Sequence, residues 1–327
     1  VMADGNEYEF SKISQEQLQK KMSLENFEGQ IYRDIFTLIN DNNDLIKKAK
    51  PDVTKNSAGY YLWNVYDKEA GTFDMAKLMV GSQGTLGLMT KIKFNLVHPK
   101  KASRLLIVFM KDLSLIAKLC NIIIPFNPES LETYDDKTFK LAIKYWPEIL
   151  GHIKSSMVKI ILKTFPEFWL IMTGGIPKLV LLAEFTGDTQ WEVKQRAQAA
   201  KEAIHKAMGN NITTRITQSH EETQEFWVVR RESFNLLRKH VKGRKTAPFI
   251  DDIIVKPEYL PKFLPELTGI LDEYKNYMIY TIAGHPGDGN FHIIPLMNLS
   301  DEKSRNIIPE LSVKVYDLVL KYGGSIT

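Results

Sequence analysis

With 327 residues the chain can bury a sizeable core and reads as two domains rather than one. Its apolar (44%) and charged (25%) fractions are those of an ordinary globular protein. Forty-three basic against 39 acidic residues leave a net charge of +4, too slight, without a basic stripe, to mark a nucleic-acid binder. The single cysteine, Cys120, excludes an internal disulfide and an iron–sulfur cluster held by this chain alone. It sits in the apolar stretch Leu115–Ile124 as a small hydrophobe, which suits a reducing cytosol. The most apolar region, Met157–Leu182, is broken by Lys159, Lys163, Pro166, Glu167 and Lys178. It falls short of the roughly eighteen uncharged residues of a membrane span, so membrane contact is at most peripheral, at the inner face. Val1 is no initiator methionine, no signal peptide is visible, and Lys321–Thr327 reads as a motif cut short.

Taken in order, residues 2–10 carry an Asp-Gly turn between short strand-like pieces. Ile31, Ile35, Leu38 and Ile39 then mark one apolar stripe of a helix that Pro51 ends. Asp74–Val80 leads to the turn Gly81-Ser82-Gln83-Gly84-Thr85-Leu86-Gly87, after which Leu88–Phe94 alternates like a strand. The sequence Pro99-Lys100-Lys101 reads as a domain boundary. Arg104–Met110 and Leu179–Phe185 are predicted strands, and Leu113–Ile124 a helix. Thr189-Gln190-Trp191-Glu192 has the form of a capping box; its helix carries Val193, Ala197, Ala200 and Ile204 on one face until Gly209. Thr213–Ile216 returns as a strand. Ser219–Glu222 opens a second helix through Phe226, Val229, Ser233 and Leu237. Ala247–Val255 is strand-like, Pro257 suits a helix start, and a last helix is expected from about Pro309 with Leu311, Val315, Leu318 and Tyr322 on one face. The alternation of strands and helices fits an α+β fold.

Two stretches carry chemistry. Between the apolar runs Tyr277–Ile282 and Ile293–Leu296 lies His285-Pro286-Gly287-Asp288-Gly289-Asn290-Phe291-His292, which reads as strand, tight turn, strand. Seven residues separate the histidines, so on one straight strand they would face opposite sides; a turn between them removes that obstacle. Proline and two glycines let the backbone fold sharply and approach a bound planar ligand closely. For a lone pair of histidines a polar hairpin tip is the plainer reading, and Gly-Asp-Gly-Asn between them favours a site. The second stretch, Gly81–Gly87, offers closely spaced backbone N–H groups suited to a dinucleotide. It is neither a Walker loop nor a Rossmann fingerprint, since the lysine is absent and the glycine spacing differs. Taken alone it is as well read as a glycine-rich hairpin. The remaining histidines, His98, His152, His205, His220 and His240, fall in ordinary contexts.

The hairpin resembles the H-x-G-D-G-N-x-H signature of FAD-linked 2-hydroxy-acid dehydrogenases, the D-lactate dehydrogenase and glycolate oxidase flavoprotein group within the vanillyl-alcohol oxidase superfamily. Gly81–Gly87 is similar to that family's G-S-E-G-T-L-G, with Asn56-Ser57-Ala58-Gly59-Tyr60 before it. Glu129–Asp135 resembles its P-x-x-L-E edge, and Trp227-Val228-Val229-Arg230 its W-x-x-R element. The resemblance spans nearly the whole chain. It implies the later part of a PCMH-type FAD-binding domain over residues 1–102, a cap or substrate domain with an antiparallel sheet over 103–280, and a segment 281–327 returning to the flavin. It implies oxidation of a small D-2-hydroxy acid by hydride transfer to FAD. Gly81, Ser82, Gln83, Gly84, Thr85, Gly87 and Leu88, with Asn290, would hold the cofactor.

By the same resemblance His285, His292 and Arg230 are catalytic, Arg230 gripping the substrate carboxylate with its two-pronged guanidinium. His285 and His292 would also share a divalent metal (Zn, Mn or Fe), completed by a glutamate beyond Thr327. Gln83 stands where the family has Glu; an amide keeps an acceptor and loses any ion pair. Phe249-Ile250-Asp251-Asp252-Ile253 lacks the lysine of 2-hydroxyglutarate dehydrogenases, and Phe234 replaces their hydroxyl residue, which favours a monocarboxylate such as lactate or glycolate. Two other readings stay open. One is an FAD-containing electron-transfer subunit with an iron–sulfur partner; the other is a non-catalytic metal- or ligand-binding module built on the hairpin.

Overall fold

The computed structural model describes residues 1–144, 175–209, 212–241 and 243–326. His152 and the part of the apolar run at 157–174 lie outside the described residues, as do Thr327 and the side chain of Phe234. Two compact units divide the chain: Val1–Asp52 with Asn56–Val97, and Val53–Lys55 with His98–Ile326. The first contains β1 (Lys12–Ser14), α1 (Gln15–Met22), α2 (Phe27–Asp41), α3 (Asn43–Ala49), β2 (Tyr66–Asp67), β3 (Thr72–Asp74) and α4 (Met75–Met79). A capping box of Ser14 and Gln17 starts α1 and the Asn26 side chain starts α2, each answering helix N–H groups that have no partner in their own turn. A three-stranded antiparallel sheet, β1-β3-β2, packs through Phe73 against Leu18, Tyr32 and Ile39. Of the expected stripe on α2, Ile39 is buried, but Leu38 is 43% exposed and Tyr32 takes the inner place. The strand expected over Leu88–Phe94 is not formed. The Leu88 N–H and C=O pair only with Val1, and with no further strand beside it this stretch leaves Leu88 and Phe94 about 70% exposed.

The second unit contains β4 (Ala102–Met110), α5 (Ile116–Ile123), β5 (Ser130–Asp135), α6 (Asp136–Lys144), β6 (Leu179–Gly187), α7 (Gln190–Met208), β7 (Thr213–Ile216) and α8 (His220–His240). It continues with β8 (Lys245–Thr246), β9 (Asp252–Ile254), α9 (Leu260–Glu273), β10 (Met278–His285), β11 (Asn290–Met297), α10 (Glu302–Lys321) and β12 (Ser325–Ile326). The strands form one nine-stranded sheet in the order β12-β9-β11-β10-β5-β6-β4-β7, with β8 beside β11, all pairings being antiparallel. Residues alternate across it. Leu106, Val108, Leu181, Ile282, Phe291 and Ile293 face α5, α7, α9 and α10 in the main core. Leu105, Ile107, Tyr134, Val180 and Leu182 face α6 and α8 in a smaller one. The α7 stripe and ends are as expected: Thr189 caps it, Val193, Ala197, Ala200 and Ile204 are fully buried, and Gly209 ends it at φ +73°. Only half of the expected capping box forms, since the Glu192 carboxylate accepts from the Asp188 N–H and not from that of Thr189.

Two boundaries differ from the sequence reading. Over Ala247–Val255 only β9 is regular strand, because Ala247 and Phe249 spend their backbone groups on a turn and on Pro295. The last helix begins at Glu302, capped by Asp301, and passes through Pro309. Proline there removes one N–H and leaves one carbonyl of the preceding turn unanswered, while the buried row Ile307, Leu311, Val315 and Leu318 continues the helix across it.

Candidate active site

The hairpin β10–β11 stands inside the sheet, flanked by β5 and β9. Its register pairs His285 with Asn290 and Ala283 with His292 across a four-residue turn, Pro286–Gly289. Directly opposed residues share a face, and His292 lies two places beyond Asn290, so both imidazoles project to the α6–α8 side. Their ring centres are 5.4 Å apart and the rings stand at 88°. Gly289, at φ +76°, makes the turn possible. A Cβ there would lie 1.8 Å from the Val255 carbonyl oxygen, so the close approach at this glycine is to the protein's own backbone.

Each imidazole has its Nδ1 turned to a carboxylate. Glu132 of β5 holds His285 Nδ1 at 3.0 Å, and its other oxygen accepts from Arg230 Nη2 at 3.2 Å. Asp252 of β9 faces His292 Nδ1 at 3.8 Å, an ionic rather than a hydrogen-bonding distance. The Asn290 amide donates to Asp252 and to the Ile253 carbonyl, fixing that carboxylate in place. Nε2 is left as the outward nitrogen of each ring, the arrangement in which carboxylates aim histidines at a ligand.

Beside the histidines lies a cavity of about 200 Å³. Ala283, His292, Thr281 and Ile294 form its strand wall, Arg230 and Thr138 reach it from α8 and α6, and Asp251 closes it next to β9. Arg230 Nε is buried there without an acceptor, and Asp251 Oδ1 without a donor. Burial holds the His292 imidazole below the usual histidine range; Asp252 opposes this and His285 adds to it. Burial also raises the Asp251 carboxyl, opposed by His292. Arg231, the next residue of α8, is exposed.

Gly81–Leu88 belongs to the first unit. Gly81, Gln83 and Gly84 all have positive φ, so the turn alternates in hand about Ser82, a conformation that can turn successive N–H groups to one side. Thr85 donates through its hydroxyl to the Ser82 carbonyl and meets the Tyr60 hydroxyl at 2.8 Å. The Ser82 hydroxyl is buried without a partner.

The sequence assigned roles to His285, His292, Arg230 and Asn290, while Glu132, Asp251 and Asp252 stood only within quoted motifs, without a role. Glu132 had a signal: a carboxylate in the middle of a strand whose neighbour Leu131 is core. Two imidazoles bound to one tetrahedral ion would have ring centres about 5 Å apart, so the observed 5.4 Å fits a shared ion as well as a shared substrate oxygen. Among the described residues no group of three His, Cys, Asp or Glu side chains gathers as a metal site. Among them, too, no helix is long and apolar enough to cross a membrane.

Comparison with known proteins gives this geometry a context. The chain is 24% identical over 300 residues to D-2-hydroxyglutarate dehydrogenase of Escherichia coli, covering 90% of this chain and 28% of that protein. It is 24% identical to the glycolate oxidase subunit GlcD of Bacillus subtilis, covering 80% and 49%. A D-lactate dehydrogenase of Anaerostipes hadrus is also 24% identical, over 86% of this chain and 52% of that one. The chain therefore spans about half, or less, of these relatives. In fold it is similar to 4-ethylphenol oxidase from Gulosibacter chungangensis, with TM-score 0.54 and 11% identity over 82% of this chain and 53% of that one. Residues 99–327 match the family described as FAD linked oxidases, C-terminal domain, and the chain belongs to that family.

Proposed function

We propose that residues 1–102 are the later part of an FAD-binding domain, 103–280 a substrate-holding cap, and 281–327 the segment returning to the flavin. The whole would be an enzyme oxidising a small D-2-hydroxy acid of the lactate or glycolate kind. The observation that carries this reading is Arg230: its Nε–H is buried without an acceptor, on a cavity wall that also holds His292. A carboxylate answers such a donor well, since its oxygens match the guanidinium fork. His292, kept neutral by burial, can accept the proton of the C2 hydroxyl, and His285, aimed by Glu132, can hold the same oxygen. FAD, when bound, supplies the acceptor for the hydride leaving C2. Gly81, Ser82, Gln83, Gly84, Thr85, Gly87 and Leu88 are proposed to hold it together with Asn290, which the orphaned Ser82 hydroxyl supports. A divalent ion (Zn, Mn or Fe) would be held by His285 and His292 and would lower the cost of deprotonating the hydroxyl.

Full-length protein, mixed anaerobically with D-lactate or glycolate, is expected to lose the absorbance of oxidised flavin. Flavin left oxidised by every 2-hydroxy acid tried would overturn the reading. Metal content should fall on His292→Ala; full activity after exhaustive chelation would leave the histidines to hydrogen-bond substrate directly. A second reading, an electron-transfer subunit with an iron–sulfur partner, is favoured by one relative being a subunit of glycolate oxidase. Iron and acid-labile sulfide co-purifying with the native protein would support it. The buried, unpaired Cys120 fits a reducing cytosol.

A further inference from the structure

The cavity is charged on opposite sides. The sheet order β9-β11-β10-β5 puts Asp251, beside β9, on one flank and Arg230, tied to Glu132 of β5, on the other. Strands β10 and β11 form the floor between them, with His292 on it. Asp251 lies one residue further from the hairpin turn than Asp252, where its carbonyl accepts from the Ile293 N–H. A 2-hydroxy acid with its carboxylate on Arg230 and its C2 oxygen at the histidines must extend its third carbon across the floor towards Asp251. The lining there comprises Thr281, Ile294 and Asp251, and one oxygen of the Asp251 carboxylate is buried with no donor. Among the described residues lining the cavity, Arg230 is the one cation.

We propose that Asp251 reads the third carbon of the substrate, accepting a hydrogen bond from a hydroxyl there and rejecting a second carboxylate. The favoured class is then the short 2,3-dihydroxy monocarboxylate, ahead of the plain 2-hydroxy monocarboxylate and far ahead of the 2-hydroxy dicarboxylate. A buried acceptor left unanswered penalises substrates that cannot donate to it, and a like charge brought beside it is repelled in a site of low dielectric. This rests on the proposed oxidation of 2-hydroxy acids and goes beyond it, since the relatives' names include both a dicarboxylate and monocarboxylates.

The test is steady-state oxidation of D-glycerate, D-lactate and D-2-hydroxyglutarate by the full-length enzyme with a dye acceptor. Wild type is expected to show kcat/KM for D-glycerate about tenfold above D-lactate, and for D-2-hydroxyglutarate about a hundredfold below it. In Asp251→Asn, which removes the charge and keeps the shape, the D-2-hydroxyglutarate to D-glycerate ratio should rise about tenfold or more, mainly through KM. Wild type preferring D-2-hydroxyglutarate would overturn the assignment without any variant. So would an unchanged ratio in a folded Asp251→Asn enzyme that still turns over some 2-hydroxy acid. Failure of all three acids to reduce the flavin would instead overturn the underlying activity, and this inference with it.

Discussion

Arg230 does two jobs with one guanidinium. Nη2 neutralises Glu132, which in turn orients His285, while Nε is buried without an acceptor on the residue that also lines the cavity. Lysine could replace the charge but not the fork, because a single ammonium cannot hold Glu132 and receive a carboxylate in the same geometry. Arg230→Lys is therefore expected to raise KM and to lower kcat/KM by about 10- to 100-fold, read by steady-state kinetics. Unchanged constants would reduce Arg230 to a structural partner of Glu132. Sequence alone pointed to Arg230 through W-x-x-R but gave no sign of Glu132 as its partner, 98 residues earlier in the chain. Nor did it show that Asn290 turns its amide to Asp252.

At the scale of elements, the site depends on how β10 is pinned. Asp135, at the end of β5, accepts from the Thr138 N–H (2.8 Å), capping α6, and from the Ile282 N–H (2.9 Å) of β10. One carboxylate thus ties strand, helix and hairpin together. Asp135→Ala should cost about 2–4 kcal/mol in chemical denaturation, the loss of a cap plus an orphaned buried N–H. Burial raises the Asp135 carboxyl to about 6, against its backbone donors. Between the ordinary value of 3.8 and about 6 the folded state keeps a proton that the unfolded chain has released. Asp135 therefore contributes less stability as pH rises through that window. Urea midpoints at pH 4.5 and 7 should differ less in Asp135→Asn, which cannot ionise, than in wild type; an equal difference would remove Asp135 as the cause. The turn is tested separately. Gly289→Ala puts a Cβ against Val255 at a positive φ, and should cost about 3 kcal/mol or more and blunt the hairpin's protection in hydrogen exchange. An unchanged melting temperature would mean the turn can relax.

For the molecule as a whole, residues 98–326 hold one sheet with helices on both faces and their own core, whereas Gly81–Leu88 belongs to the other unit. A chain of residues 98–326 alone is expected to unfold in one cooperative transition by calorimetry and to purify colourless. A yellow fragment would show that the second unit holds flavin without the glycine-rich turn. In the native arrangement Val53–Lys55 joins this unit, where Thr54 donates to the Asp288 carbonyl and Lys55 pairs with the Asp288 carboxylate on the hairpin turn.

Local pattern by itself determined the helices that carry a cap and a full apolar stripe, α7 above all, and the strands Arg104–Met110 and Leu179–Phe185, apolar and buried along most of their length, with Thr213–Ile216. It also determined that two histidines flank a tight glycine turn, because turn chemistry is written in adjacent residues. Tertiary structure decided what neighbours in sequence cannot encode. Leu88–Phe94 is no strand because no partner offers it a ladder, and α10 runs through Pro309 because burial of Ile307, Leu311 and Val315 outweighs one missing bond. Sheet order alone brought Glu132, Asp251 and Asp252 to the histidines, from strands and turns up to some 150 residues away along the chain. A carboxylate in a strand is only a polar break in a hydrophobic pattern until the register of its neighbours shows which face it occupies and what charge stands opposite.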